Sequence, residues 1–186
     1  MVTLASLWLV IVAAAAIMWI ASALIWMAMP WHKSDFAGLP AQDALVDALR
    51  SQGVKPGQYD FPHLSRREDL KLEENQRRFI EGPVGFITIA PRGLPRMGTG
   101  MLQSALFCLF VSLLAAYLAS RSLPAGADYM RVFQITAVVV WIANFTAVVP
   151  DAVWFARPWK SIGKSCLDAA ILALLAAGVF GALWPG

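Results

Sequence analysis

Hydrophobic positions fall into four charge-free runs, and polar segments separate them. The runs cover residues 1–32, 97–120, 132–150 and 169–186. Each is close to the ~20 residues that an α-helix needs to cross about 30 Å of hydrocarbon. The pattern therefore predicts four transmembrane helices, at 1–30, 97–120, 131–150 and 167–184.

Residues 31–96, between the first two runs, have the composition of a small soluble module. Pro40 and Gly53 bound a short predicted helix, and a capping-box pattern at Ser65–Glu68 opens a second helix that should run to about Glu81. Val84–Ile89 is rich in β-branched and aromatic residues and predicts a strand, which could pair with the extended piece around Tyr59. The predicted fold is thus an all-α membrane protein whose four helices carry a small α+β insertion between the first and second.

Composition agrees with a bilayer environment. Hydrophobic residues make up 59% of the chain, more than the roughly 45 to 50% of a soluble domain, and the mean hydropathy is +0.61. Nothing basic precedes the first run, which is longer than the core of a signal peptide. We therefore predict that the first helix is an uncleaved anchor.

Charge placement predicts the orientation. Ten Lys and Arg residues lie in 31–96 and three in 157–164, whereas only two lie in the turn at 121–131 on the opposite side. The positive-inside rule then places both termini outside the bacterial inner membrane and the 31–96 loop in the cytoplasm. Acidic residues interleave with the basic ones in this loop, so no nucleic-acid partner is predicted.

Small residues recur at every fourth position along two of the predicted helices. This spacing draws a narrow groove along a helix, into which another backbone can pack closely. We expect the second and fourth helices to run parallel and to pair through these grooves, at a crossing angle around −40°, or each groove to meet a second copy of the chain. The groove residues are Gly100, Ser104, Cys108, Ser112, Ala116 and Ser120 on the second helix, and Ala169, Ala173, Ala177 and Gly181 on the fourth.

Polar side chains near the cytoplasmic ends of the helices form the one candidate site. In the functional interpretation His32 is oriented by Asp35, while Asp151 and Asp168, held by Arg157 and Lys164, bind a cation or a lipid headgroup. The structural alternative is a set of interfacial anchors and helix caps, with Asp168 at the start of the fourth helix, where the helix dipole favours an anion. The candidate residues are His32, Asp35, Asp151, Arg157 and Asp168.

Several kinds of chemistry find no support in the sequence. The two histidines, His32 and His63, lie outside the predicted spans, which disfavours a membrane-buried haem. Cys108 and Cys166 should lie at different depths, which disfavours a disulfide or a metal pair. Nucleotide-binding and hydrolase motifs are absent from the sequence. We therefore predict no cofactor and no metal, and we assign no catalytic residue.

Three functions remain open. The first is a non-catalytic scaffold or accessory subunit whose cytoplasmic module contacts a protein partner. The second is an interfacial protein that binds or modifies a lipid, and the third is a small channel or transporter formed by homo-oligomerisation. All three have the lipid bilayer as a partner.

Three short motifs carry a resemblance to a known family. They are MPWHKSDF at 29–36, WFARPW at 154–159 with an Asp after it, and LWP at 183–185. In these motifs the chain resembles a family of uncharacterised bacterial four-helix inner-membrane proteins. The resemblance implies the four-helix fold and brings no activity and no residue role.

Overall fold

The computed structural model describes residues 2–186, and α-helices make up most of it. The helices are α1 (Trp8–Ala28), α2 (Gln42–Ser51), α3 (Glu73–Glu81), α4 (Met97–Ser122), α5 (Tyr129–Phe145), α6 (Val149–Trp154) and α7 (Trp159–Ala182). Two strands, β1 (Gly57–Phe61) and β2 (Gly85–Ile89), complete the regular structure together with short 3₁₀ turns at Leu4–Leu7, Pro30–Ser34, Arg67–Lys71 and Thr146–Val148.

Four helical segments are long and apolar enough to span a membrane, which confirms the predicted number. They are Leu4–Ala28, Met97–Ser122, Tyr129–Trp154 and Trp159–Ala182. The third is longer than predicted because Pro150 lies in the first turn of α6, where a proline does not interrupt helical hydrogen bonding.

The fourth span begins earlier than predicted, and this changes the position of Asp168. α7 starts at Trp159, directly after Pro158, eight residues before the predicted start at 167. Asp168 lies nine residues further on, about two and a half turns into the helix. The prediction that Asp168 stands at the helix start and interacts with the helix dipole is therefore wrong. Its carboxylate instead meets a buried histidine, as described below.

The four long segments form a bundle in which each helix packs against two neighbours. α1 packs against α4 and α7, and α5 packs against the same two helices. α4 and α7 therefore lie diagonally across the bundle, and the predicted close pairing of the second and fourth helices is wrong. The buried side chains that fill the space between the helices include Met18, Val111, Val132, Val140 and Phe180.

The small-residue grooves pack against other helices than predicted. The α4 groove faces α1, where the Ser112 hydroxyl donates a hydrogen bond of 2.8 Å to the carbonyl oxygen of Ile11. Cys108, Ser112 and Ala116 are buried, whereas Ser104 is half-buried and Gly100 is exposed. On α7, Ala169, Ala173 and Ala177 are buried, and Gly181 faces the ring of Tyr129 on α5. A Cβ atom at Gly181 would lie 2.5 Å from Tyr129 Cε2, so the ring occupies the space that glycine leaves.

The 31–96 module contains the predicted hairpin and one of its two helices as predicted. β1 and β2 pair antiparallel with Tyr59 opposite Ile87, and α2 lies between Pro40 and Gly53. The helix predicted from Ser65 to Glu81 is divided at Leu72 into a 3₁₀ turn and α3. Every residue of α2, α3 and the two strands is at least partly exposed, as expected for a module with few apolar positions.

Candidate functional site

A buried histidine at the end of α1 connects two distant parts of the chain. Pro30 begins the 3₁₀ turn that follows α1, and this turn directs His32 onto the N-terminal half of α7. His32 Nδ1 lies 2.6 Å from Asp35 Oδ2, and His32 Nε2 lies 2.8 Å from Asp168 Oδ2. The residue is only 6% exposed. The imidazole thus links the turn after α1 to α7.

Proton counting restricts the charge state of this arrangement. A neutral imidazole has one N–H donor and one acceptor nitrogen, whereas the imidazolium donates from both nitrogens. Because both ring nitrogens of His32 face carboxylate oxygens, one extra proton is shared among His32, Asp35 and Asp168. The simplest arrangement is an imidazolium that donates to both carboxylates.

Lys164, one turn before Asp168 on α7, adds a second cation next to His32, Asp35 and Asp168. Its ammonium lies 2.5 Å from Asp35 Oδ1 and 2.9 Å from Ser34 Oγ, and it also donates to the carbonyl oxygen of Trp31. The Ser161 hydroxyl donates a further bond of 3.1 Å to Asp35 Oδ1. With His32 protonated, two cations balance two carboxylates, so these four side chains carry no net charge together.

The indole of Trp26 covers one face of the imidazole. The ring centroids of Trp26 and His32 are 4.0 Å apart and the planes differ by 9°. A charged imidazole is attracted by the π face of an indole. The stacking therefore holds the imidazole plane in place between the two carboxylates. We name His32, Asp35, Asp168 and Lys164 the charged network.

The pKa of Asp35 reflects these contacts. The hydrogen bond from Lys164, followed by that from His32, lowers the pKa of the Asp35 carboxyl to about 2, against the opposing effect of burial. A carboxyl whose pKa is lower in the folded than in the unfolded protein stabilises the fold above its unfolded pKa, near 4. This contribution is lost as the pH falls through the folded value.

We expect Asp35→Asn to destabilise the protein at neutral pH, and the difference from wild type to shrink as the pH falls from about 4 to about 2. Thermal unfolding in detergent, followed at several pH values, measures this difference. Asp43→Asn on the exposed α2 is the control, because its difference from wild type should stay small throughout. A difference between Asp35→Asn and wild type that persists undiminished at pH 2 would contradict the assignment.

The network is poorly suited to proton transfer with a substrate. Both nitrogens of His32 are occupied, so the ring could act as a base only after losing one carboxylate. Among the described residues 2–186, two buried side-chain atoms have no hydrogen-bond partner, Asp168 Oδ1 and Trp31 Nε1. Because both imidazole nitrogens are occupied, we place the candidate ligand site in the space beside the network.

That space is a cavity of about 820 Å³ between the bundle end and the β1–β2 hairpin, which we name the interfacial cavity. Asp35 and Ser161 form the wall on the side of the network. The aromatic lining residues are Trp26, Phe36, Tyr59, Phe86 and Phe155. The charged lining residues are Asp35, Asp60, Asp151 and Arg157.

A tight loop after α6 brings Arg157 back to Asp151. The backbone N–H groups of Phe155 and Arg157 both donate to the carbonyl oxygen of Asp151, at 3.0 and 3.1 Å. Between them Ala156 has φ +56°, a left-handed conformation that is uncommon outside glycine. The Phe155 ring meets Phe86 of β2 edge to face, with centroids 5.5 Å apart. This contact joins the hairpin to the membrane-end loop and bounds the interfacial cavity.

The structure divides the five predicted site residues into two groups. His32 contacts both Asp35 and Asp168, whereas Asp151 and Arg157 form a separate pair with 3.5 Å between Oδ2 and Nη1. Lys164 was expected to hold an aspartate of the 151/168 pair, but it binds Asp35. Sequence reasoning missed Ser161 and Trp26. Ser161, Lys164 and Asp168 follow a three- and four-residue spacing, which indicates one helix face once the helix starts directly after Pro158.

Within residues 2–186 no group of three or more His, Cys, Asp and Glu side chains is arranged to hold a metal ion. The chain matches no protein-family model and no curated protein, and no solved structure is similar to it. Its own structure defines its class: four helices long and apolar enough to span a membrane, with a two-stranded sheet beside a charged network at one end. The resemblance to the four-helix inner-membrane family stays a prediction.

Proposed function

We propose that this chain is a multi-pass protein of the bacterial inner membrane that binds an amphipathic, lipid-like molecule in the interfacial cavity. The observation that carries the proposal is the cavity itself. Its volume of about 820 Å³ is within the range of about 300–1,000 Å³ that is usual for ligand sites. It lies where the spans end, so a ligand there could keep its polar part at the cavity and its apolar part along the bundle.

The composition of the walls supports an amphipathic occupant. Aromatic side chains from α1, from the hairpin and from the loop after α6 provide apolar contact area, and Asp151 and Arg157 provide polar contacts. Two lining residues have exposed apolar neighbours in the chain, Met27 next to Trp26 on α1 and Trp154 next to Phe155 at the end of α6. Aromatic residues of this kind are favoured at the boundary between lipid and water.

The charged network supports the proposal because it restrains one wall of the cavity. Asp35 belongs both to the network and to the cavity lining, and Lys164, Ser161 and His32 restrain its carboxylate. A ligand therefore meets a preorganised wall, which lowers the entropic cost of binding.

We place the cavity on the cytoplasmic side, with both termini outside, on the partition of basic residues between the two sides. A Glu68→Cys variant, made without the two natural cysteines, should react with a membrane-impermeant maleimide only after cells are permeabilised. Ala125→Cys, in the turn between α4 and α5, is the matched control and should react in intact cells. The opposite labelling would invert the orientation.

Lipid retention tests the binding function. We expect detergent-purified protein, incubated with an equimolar mixture of phosphatidylethanolamine, phosphatidylglycerol and phosphatidylcholine, to keep one phospholipid in native mass spectrometry. Thr88→Trp, which fills the cavity from β2, should lose it. Val84→Trp adds the same side chain to the hairpin outside the cavity lining and should keep it. Equal retention by all three proteins would refute cavity binding.

A second function, a scaffold that engages a protein partner, is favoured by exposed apolar residues of the 31–96 module. Ile80 on α3 is 84% exposed, and Leu72 and Leu94 are exposed as well. The two proposals differ in what co-purifies. If the chain is a scaffold, a stoichiometric partner protein should co-purify with it, and Ile80→Asp should release this partner whereas Thr88→Trp should not. If the chain binds lipid in the cavity, Ile80→Asp should still retain the lipid. Conduction through a single copy has little support, because the bundle interior is filled with apolar side chains.

A further inference from the structure

We infer that the interfacial cavity recognises a phospholipid headgroup that carries both a primary ammonium and a phosphate, the ammonium at Asp151 and the phosphate at Arg157. This inference rests on the proposed function and specifies its ligand. The charged side chains of the cavity lining differ in how closely other parts of the protein already bind them.

Two of the four charged groups that line the cavity already have close partners. Asp35 is bound by Lys164, His32 and Ser161. Asp60 lies 2.7 Å from His63 Nδ1. The remaining two groups are Asp151 and Arg157, one of each sign. These two side chains pair with each other across 3.5 Å, so a ligand in the cavity meets a carboxylate and a guanidinium side by side.

The Asp151–Arg157 pair is loose enough to admit a ligand. Its 3.5 Å separation exceeds the roughly 2.7–2.9 Å of a strong charge-assisted hydrogen bond. The side chains are 46% and 33% exposed, and the backbone hydrogen bonds of the loop keep the two residues adjacent independently of their own long hydrogen bond. A zwitterion can therefore insert between them without leaving either charge unpaired.

The sign of the surroundings disfavours a purely anionic headgroup. Three of the four charged lining residues are acidic, and Arg157 is the basic one. A purely cationic headgroup would leave Arg157 without a counter-ion. Only a headgroup with both charges satisfies both side chains.

The ammonium should be primary. Asp151 accepts hydrogen bonds, and a primary ammonium has three N–H donors, whereas a quaternary ammonium has none. The aromatic lining residues can contact either kind of cation. Preference for the primary ammonium therefore depends on Asp151, and this gives the inference a test that is separate from lipid binding as such.

The experiment compares the three phospholipids one at a time, in native mass spectrometry of the intact chain in detergent. Wild type should retain phosphatidylethanolamine about tenfold better than phosphatidylglycerol or phosphatidylcholine, as expected for one charge-assisted hydrogen bond. Asp151→Asn should abolish this preference and leave retention of phosphatidylglycerol at the wild-type level, which also shows that the variant is folded. Arg157→Gln should lower retention of all three lipids, because each has a phosphate.

Equal retention of the three lipids by wild type, still lost in Thr88→Trp, would overturn the headgroup inference while the binding function stands. So would a preference for phosphatidylglycerol that depends on Arg157 alone. Retention that Thr88→Trp does not reduce would instead refute the binding function itself.

Discussion

Replacing His32 by Ala is expected to lower the free energy of unfolding by about 3–5 kcal/mol, the usual cost of removing one partner from a buried ionic arrangement. The substitution leaves Asp35 with Lys164 but removes the only hydrogen bond that the described residues 2–186 make to the Asp168 carboxylate. It also removes the ring on which Trp26 stacks. Thermal unfolding of the detergent-purified protein, followed by circular dichroism, measures the effect.

The chain provides a matched control in its second histidine. His63 Nδ1 lies 2.7 Å from the carboxylate of Asp60, three residues earlier, much as His32 faces Asp35 three residues later. The His63 side chain is 67% exposed, and exposed ion pairs contribute only about 0–1 kcal/mol. His63→Ala should therefore melt close to wild type. Similar melting temperatures for His32→Ala and His63→Ala would show that the charged network does not stabilise the bundle.

Replacing Ser112 by Leu is expected to destabilise the bundle by at least about 1–3 kcal/mol, the cost of overpacking a filled interior. Ser112 is fully buried between α4 and α1, and its hydroxyl is bonded to the carbonyl oxygen of Ile11. A leucine there would push α1 away from α4. The melting temperature of the detergent-solubilised protein should fall accordingly.

Gly100→Leu is the control for this substitution, because Gly100 belongs to the same line of small residues. A Cβ atom at Gly100 would meet nothing within 4 Å, so the longer side chain should be tolerated. The difference between the two melting temperatures distinguishes a small residue that packs against another helix from one that does not. If Ser112→Leu and Gly100→Leu melted alike, the α1–α4 contact would not explain the small-residue line.

The elements that the sequence predicted are those that depend on local physics. Runs of apolar residues without charge can satisfy their backbone only as helices in hydrocarbon, and this predicts four long apolar helices. The strand at 84–89 and its partner near Tyr59 were predicted from β-branched and aromatic residues between prolines. The helix predicted from 65 to 81 was not found as one element. The 3₁₀ turn ends at Lys71, and Leu72, whose backbone is extended, separates it from α3.

The candidate site shows the same division between local and tertiary information. His32 and Asp35 were predicted as a pair because three residues separate them in the chain. Asp168 was predicted either to cap the start of the fourth helix or to share a site with Asp151, and its contact with His32 was not predicted. The sequence does not show that α7 begins at Trp159 and carries Ser161, Lys164 and Asp168 on one face. Once α7 starts there, one turn of helix separates Lys164 from Asp168, and both reach the turn after α1.

By itself, the sequence determined the number of long apolar helices, the hairpin, and the residue types available at the end of the bundle, because each follows from hydrophobicity and local conformational preference. Only the tertiary structure decided which helices are neighbours and that His32 lies between two carboxylates. The physical reason is that helix neighbours are selected by the fit of whole surfaces. The line of small residues on α4 permits close packing with any helix. The arrangement of all four helices places α1 against it.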